Sequence, residues 1–354
     1  MSEPTPQRSR GWIFGGAAAV VVVAGLVLAP LVISPVDVPA DLPGPTTTTP
    51  SAPTTVAPAT SPDQCGGRDP ADPYRSLQPS GPATSDVPAG SFMAAIQANG
   101  RLRVGVSPTT LLFSSVDPGS GVFEGFDDDI SREVARALFG DPSKVEFVAI
   151  PQTDRVNALK DGRVDMVAST FSINCTRLQD IQFSSEYFTA GQKMLVPKEL
   201  VPDPAAAAGL TLADLAQKAG LKAGEKARVC AANGSTSIGV LEDQAVPLDV
   251  VAAGSHTECL AKLQRGEINA VSTDDTILAG MAAQDPTVTV AGQPITTEHY
   301  GLGLPAGHDD WVRYVNAVLQ DVKSSGRWAE IYDFWLKGPL TPTTPAPPVG
   351  EYAG

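Results

Sequence analysis

From residue 91 to residue 336 short apolar runs alternate with segments of helical period, and this alternation constrains the fold more than any other feature. Strands are expected at 101–106, 145–150, 164–168 and 192–196, and helices at 92–98 and 153–160. Gly125-Phe-Asp-Asp-Asp-Ile130 opens a further helix, in which Ile130, Val134 and Leu138 recur at i, i+4 and i+8 as one buried face. Asp127 is placed to cap that helix, and Asp128 and Asp129 favour the positive end of its dipole. A second series follows Pro197, with helices at 210–219, 238–243, 256–267 and 276–283 and strands at 228–232, 248–253, 270–273 and 288–292. A strand at 299–305 and helices at 309–324 and 328–336 close the pattern. Strands separated by helices imply an α/β fold with parallel, doubly wound sheets. Two series joined by crossings near 196–198 and 291–296 read as two lobes around a hinged cleft. Lobe 1 is expected from 91–196 with 295–337, and lobe 2 from 197–294.

Ligands of such sheets bind at the carboxyl ends of strands, where the loops 107–113 and 168–177 lie. The second reads Ala168-Ser-Thr-Phe-Ser-Ile-Asn-Cys-Thr-Arg177, small hydroxyl residues ending on one arginine. A guanidinium is a planar fork of donors that fits a carboxylate bidentately, and hydroxyls and backbone N–H groups can supply the remaining bonds. A net charge of −14 argues against nucleic acid and anionic membrane surfaces as partners. With three histidines and no CxxC among four cysteines, neither a metal site nor a cofactor is expected. An even cysteine count in an exported chain reads as two disulfides, for which four cysteines allow three pairings.

Export follows from the N-terminus. Arg8 and Arg10 precede an uncharged run from residue 11 to residue 33, long enough to span a bilayer. Basic residues stay cytoplasmic, so residues 1–10 are expected inside and the bulk of the chain outside, as a single-pass, uncleaved membrane anchor. Residues 34–64 form a Pro/Thr-rich linker that cannot bury a core. Residues 65–90 are read as an arm stapled by Cys65, and 338–354 as a disordered Pro-rich tail.

The chain resembles the polar-amino-acid (family 3) solute-binding proteins of ABC importers, a two-lobed periplasmic-binding (type II) fold. The resemblance is carried by Leu102-Arg-Val-Gly-Val106, Gly125-Phe-Asp-Asp-Asp-Ile130, Asp161-Gly-Arg-Val-Asp165 and Ser169-Thr-Phe-Ser-Ile-Asn174 with Arg177. It continues through Phe183-Ser-Ser-Glu-Tyr187, Gly234-Ser-Thr-Ser237, Ser272-Thr-Asp-Asp-Thr-Ile-Leu278 and Tyr300-Gly-Leu-Gly-Leu304, and spans about residues 91–337. It is nearest the actinobacterial glutamate/glutamine-binding branch known as GlnH. The likeness implies an amino-acid receptor, not an enzyme, that acts as a monomer with an ABC permease or a membrane sensor. Arg177 is similar to the arginine that clamps the ligand α-carboxylate. Ser172 resembles the hydroxyl that binds carboxylate and amino group, and Thr170 the residue whose carbonyl accepts from the α-ammonium. Thr236, beside Ser235 in a turn before a helix, resembles the carboxylate binder of the other lobe, and a helix N-terminus suits an anion there. Asp274 resembles the acid that pairs with the ammonium. Asp275 stands either as a helix-start charge or as a ligand contact. His256 is either a side-chain contact or an unengaged helix histidine. The same branch implies the pairs Cys65–Cys175 and Cys230–Cys259.

One departure concerns the ligand. Relatives that bind acidic amino acids place an arginine just after the loop that holds Phe113, whereas this chain reads Leu112-Phe-Ser-Ser-Val-Asp117. A neutral amide could be met by Ser107, Thr109, Thr110 and Gln152, so glutamine or asparagine is expected alongside, or ahead of, glutamate and aspartate. Phe171 and Phe113 are the aromatics available to pack on ligand methylenes, with a core role expected for Phe113. Two rivals remain: a sensing receptor coupled to a membrane or kinase partner without transport, and a dehydratase-like enzyme on the same fold, for which no catalytic constellation is visible.

Overall fold

The strand pattern at 101–106 becomes Leu102–Val106, second in a five-stranded sheet. The computed structural model describes residues 65–353. The sheet runs Val145–Ala149, Leu102–Val106, Met166–Val167, Gly303–Pro305, Ile181–Phe183. Its first three strands are parallel, because a helix carries the chain back over the sheet between them. Gly303–Pro305 enters from the other lobe without such a crossover and is antiparallel to both neighbours. The second sheet repeats the plan: Leu248–Ala253, Ala227–Ala232, Ala270–Asp274, Gln192–Pro197, Val288–Ala291, with Gln192–Pro197 antiparallel. The sheets are therefore mixed, where the strand–helix alternation implied wholly parallel ones.

Gln192–Pro197 also moves the expected boundary. Its pairing with Ala270–Asp274 places it in the second lobe, so the first crossing lies at Gly191. The two crossings run side by side as an antiparallel pair, Phe188–Ala190 with Glu298–Tyr300. The expected strand at 299–305 is thus two strands, one in the hinge and one in the first sheet. The expected helix at 210–219 is Leu212–Lys218, started by a capping box between Thr211 and Asp214, and an unexpected helix, Pro204–Gly209, precedes it.

Each lobe buries its own core. In the first, Ile130, Val134 and Leu138 are fully buried as their spacing predicts, against Val104, Trp311 and Val315. In the second, Val229 and Ala231 face one cluster and Cys230 the other, the period-two alternation of a sheet covered on both sides. The hinge strands are anchored by aromatics: Phe188 and Tyr300 stack with each other and contact Phe113, and Trp328 Nε1 donates to the Tyr187 carbonyl at 2.8 Å. Phe113 is fully buried there, in the core role expected of it.

The arm and the tail close on lobe 1. The disulfides are Cys65–Cys175 and Cys230–Cys259. Ser76–Leu77 pairs in parallel with Tyr352–Ala353, so the segment expected as a disordered tail ends in a two-residue strand against the arm. The Pro-rich composition misled because the partner strand is supplied from far away in sequence. The expected cytoplasmic residues 1–10, membrane span 11–33 and linker 34–64 lie outside the described residues. Among the described residues no helix is long and apolar enough to cross a membrane.

Asn316 ties arm to lobe. It is fully buried, accepts from the Ser185 N–H at 2.7 Å, and donates to Ser76 Oγ at 2.9 Å and the Leu77 carbonyl at 2.8 Å. Asn316→Ala leaves these groups unpaired, and the expected loss is about 2–4 kcal/mol, read from urea unfolding.

Candidate functional site

The loop after Met166–Val167 is bent into an unusual shape. Thr170 has φ +41°, a left-handed conformation costly for a β-branched residue. Asp127 holds it there: its Oδ2 accepts the Thr170 N–H at 2.8 Å, and its Oδ1 accepts from Tyr187 Oη at 2.6 Å. Asp127 is fully buried and caps nothing. Gly125 occupies the N-cap position, and the neighbouring Asp128 is equally buried against Ser114 Oγ. The reading of Asp127 as the helix cap is corrected accordingly. The Asp127 carboxyl is pushed up to about 7 by burial, with the two hydrogen bonds and the Arg155 charge opposing.

The loop is then zipped to the hinge. The Ile173 N–H donates to the His299 carbonyl at 2.8 Å, the Gly301 N–H to the Phe171 carbonyl at 3.1 Å, and Ser172 bridges Tyr300. Asn174 caps a single turn, Cys175–Leu178, through the Arg177 N–H, and the Cys65 disulfide enters at its first residue.

Two guanidiniums meet here, and only one of them was anticipated. Arg177 donates to the carbonyls of Ser172 (2.5 Å) and Gly234 (3.0 Å). Arg155 is 2% exposed and donates to the carbonyls of Gln152 (3.0 Å), Ser169 (2.9 Å) and Gly234 (2.9 Å). Both lie over the buried ring of Phe171, at 4.2 Å for Arg155 and 4.6 Å for Arg177. Phe171 is therefore the platform under the arginines, not a free face for ligand methylenes. Neither arginine forms a salt bridge with a carboxylate among the described residues. Burial lowers both, Arg177 to about 10, and the charge of Arg177 lowers Arg155 further. Arg155 was legible only as a polar residue in an amphipathic helix; the folded chain brings it beside Arg177.

Lobe 2 supplies the opposite wall. Gly234, at φ +77°, brings its carbonyl to both arginines, and a Cβ there would sit 2.9 Å from the Thr153 backbone. Thr236 precedes the helix Ser237–Glu242, and its hydroxyl donates to Glu298 Oε2 of the hinge at 3.2 Å. Ser235 spends its hydroxyl on the Ala232 carbonyl inside its own turn. Asp274 is 4% exposed; its Oδ2 accepts from Tyr300 Oη at 2.5 Å and its Oδ1 has no partner. His256 is buried, with Nδ1 at 3.0 Å from Gln152 Nε2 and Nε2 at 3.1 Å from Thr273 Oγ1. It is neutral, held down to about 3 by burial and by Arg155, so the histidine is engaged across the cleft. Thr110 donates to Ser107 Oγ at 2.8 Å. Ser107, Gln152 and His256 together line a cavity of about 290 Å³ between the lobes. Asp275 faces elsewhere: it accepts the Gly191 N–H at 3.2 Å and lines a separate cavity with Lys193 and Tyr332.

Four of the eight buried polar atoms without partners among the described residues belong to these groups: Gln152 Oε1, Ser169 Oγ, Thr170 Oγ1 and Asp274 Oδ1. Native interiors rarely leave such atoms unpaired, so the arrangement suits a polar guest that brings its own donors and acceptors. Two cations on one wall and one acid on the other fit a zwitterion.

The model of the bacterial extracellular solute-binding proteins, family 3, matches residues 102–338. The chain belongs to that family. It is 33% identical over 245 residues to the ABC transporter glutamine-binding protein GlnH of Bacillus subtilis strain 168, covering 69% of this chain and 84% of that protein. It is 28% identical over 250 residues to the glutamate-binding protein GluB of Corynebacterium glutamicum, covering 68% and 79%. A crystal structure of the cysteine-binding protein of Campylobacter jejuni superposes with a TM-score of 0.63 at 22% identity, over 72% of this chain and 97% of that one, which speaks for the fold alone. Family and relatives are solute-binding proteins, not enzymes.

Asp274 gives the site a pH dependence. Burial pushes its carboxyl up to about 7, with Glu298 adding to the rise and the Tyr300 hydrogen bond opposing it. A ligand ammonium against Oδ1 needs the carboxylate. Affinity for an amino acid is therefore expected to be full above pH 7 and to fall as pH drops through it, by up to about tenfold per unit. Calorimetric titrations from about pH 5.5 to about 8.5 check this, and a flat profile removes Asp274 from that role. The same shift, upward from an unfolded value near 3.9, means that stability falls as pH rises from about 4 to about 7, with the full penalty present above 7. Asp274→Asn is thus expected to weaken binding strongly while raising the melting temperature of the ligand-free protein at about pH 8, with the gain vanishing near pH 4.

Proposed function

We propose that this chain is an extracytoplasmic receptor for glutamate, glutamine, aspartate or asparagine that closes its two lobes around the ligand and delivers it to an ABC importer. The observation that carries the reading is the pair Arg155 and Arg177 on one lobe facing Asp274 on the other, Arg155 and Asp274 buried and Arg177 half-buried, each with capacity left over. Arg177, with Ser172 and the Thr170 loop, takes the α-carboxylate. Asp274 takes the α-ammonium, and Thr236 approaches from lobe 2. Arg155 then remains for the side chain, through a carboxylate or an amide oxygen. That answers the missing arginine after Phe113: a cation is supplied from the helix Arg155–Lys160 instead. Acidic and amide ligands both fit this reading, in keeping with relatives named for glutamine and for glutamate.

Closure is favoured because the ligand bonds both lobes at once and so binds the closed state more tightly. Both lobes come from one chain, so a monomer suffices. The N-terminal run 11–33 would hold the receptor at the membrane with its lobes outside. A sensing role is favoured by one observation: Cys65–Cys175 joins the arm that leads to this run with the turn that holds Arg177. A ligand-dependent change in that turn would then act on the arm at the point where it leaves the lobe.

A thermal-shift screen over the twenty amino acids tests the ligand class. Glutamate, glutamine, aspartate or asparagine is expected to raise the melting temperature, and a response confined to other amino acids refutes the reading. By calorimetry, Arg177→Ala should lower affinity for every responding ligand by at least about a hundredfold, whereas Arg155→Gln should weaken glutamate more than glutamine. Uptake of labelled ligand by a strain lacking the gene separates import from sensing: undiminished uptake favours the sensor.

A further inference from the structure

The 290 Å³ cavity between the lobes lies beyond the groups that the proposed zwitterion contacts require. Its inner end is buried, at Ser107, Ile150 and His256; its outer end reaches solvent at Thr109, Ala149 and Gly254. It is therefore a channel running from the side-chain end of the site to the lip of the cleft. Pro108, Ala149, Ile150 and Pro151 give it apolar walls, and its polar groups gather at the inner end.

Gln152 stands where site and channel meet. Its backbone carbonyl accepts from Arg155 and its Nε2 is held by His256, while its Oε1 is buried and has no partner. A buried acceptor of this kind calls for one N–H. The side-chain amide of glutamine has two. With its carbonyl oxygen on Arg155 and one N–H on Gln152 Oε1, the second amide hydrogen is left over and faces the channel. His256 is neutral, so it adds no charge to that of Arg155 at the junction.

We infer that the site also takes amino acids whose side-chain amide is substituted on nitrogen, the γ-glutamyl amides and γ-linked peptides, with the substituent lying in the channel between Gln152, Ala149 and Gly254. The inference rests on the amino-acid reading above. A free γ-carboxylate lacks the N–H, so Gln152 Oε1 also explains why a substituted amide keeps every contact that glutamine makes.

The test is calorimetry on the full chain with four probes: glutamate, glutamine, glutamine carrying an ethyl group on its side-chain nitrogen, and γ-glutamylglycine. The expected result is that the ethyl amide and the γ-linked dipeptide bind within about tenfold of glutamine. Ala149→Trp fills the channel from an exposed position at the end of a strand, and should lower the affinity of both extended probes by at least about tenfold with glutamine unchanged. If Ala149→Trp does not fold, as judged by its melting curve, Gly254→Trp fills the same channel from the lobe 2 lip. Glutamine binding without the extended probes overturns the inference and leaves the amino-acid reading standing. Equal loss for all probes in the channel-filling variant also overturns it. Binding of neither glutamate nor glutamine overturns the reading and the inference with it.

Discussion

Two positive charges stacked on one phenylalanine, neither in a salt bridge among the described residues, set the terms for the rest of this molecule. A buried guanidinium is costly unless its donors are satisfied. Here they are met by backbone carbonyls, from Gln152, Ser169 and Ser172 on one lobe and from Gly234 on the other. Carbonyls satisfy hydrogen bonds without cancelling charge, and Asp274 and Glu298 offset the two cations only from a distance. Like charges this close repel, and Phe171 lessens the cost by presenting its negative ring face to both.

The loop that carries these carbonyls is strained, and its support comes from outside it. Asp127 pins the left-handed Thr170, Tyr187 pins Asp127, and Trp328 pins the Tyr187 backbone from the closing helix. The other edge of the loop is paired to Glu298–Tyr300, a hinge strand, and Tyr300 reaches on to Asp274. Ligand groups, hinge and lobe 2 acid are thus joined by direct contacts. A change at Arg177 or Asp274 is felt at the crossing strands without any long relay.

Most of the scaffold was legible. The i, i+4, i+8 pattern at Ile130, Val134 and Leu138 gave a helix and its buried face, because helical period is a local property. The strand–helix alternation gave two lobes. What went astray needed partners remote in sequence. Gln192–Pro197 reads as one more strand of its series, but pairing with Ala270–Asp274 assigns it to the other lobe. The tail reads as disordered until Ser76–Leu77 pairs with it. Asp127 reads as a cap because aspartate favours helix starts, yet a buried tyrosine and a strained amide claim it.

By itself the sequence determined the elements and the clamp candidate at the end of a strand, since each is a matter of residue type and local spacing, and its resemblance to a family pointed to the opposing acid in the second series. Tertiary structure alone decided that Arg155 joins Arg177, that Phe171 lies beneath them, and that Gln152 and His256 close the far wall across the lobes. These are contacts between segments 16 to 104 residues apart (Arg155 to Phe171, and Gln152 to His256). No local pattern encodes them, because burial and charge proximity exist only once the chain has folded.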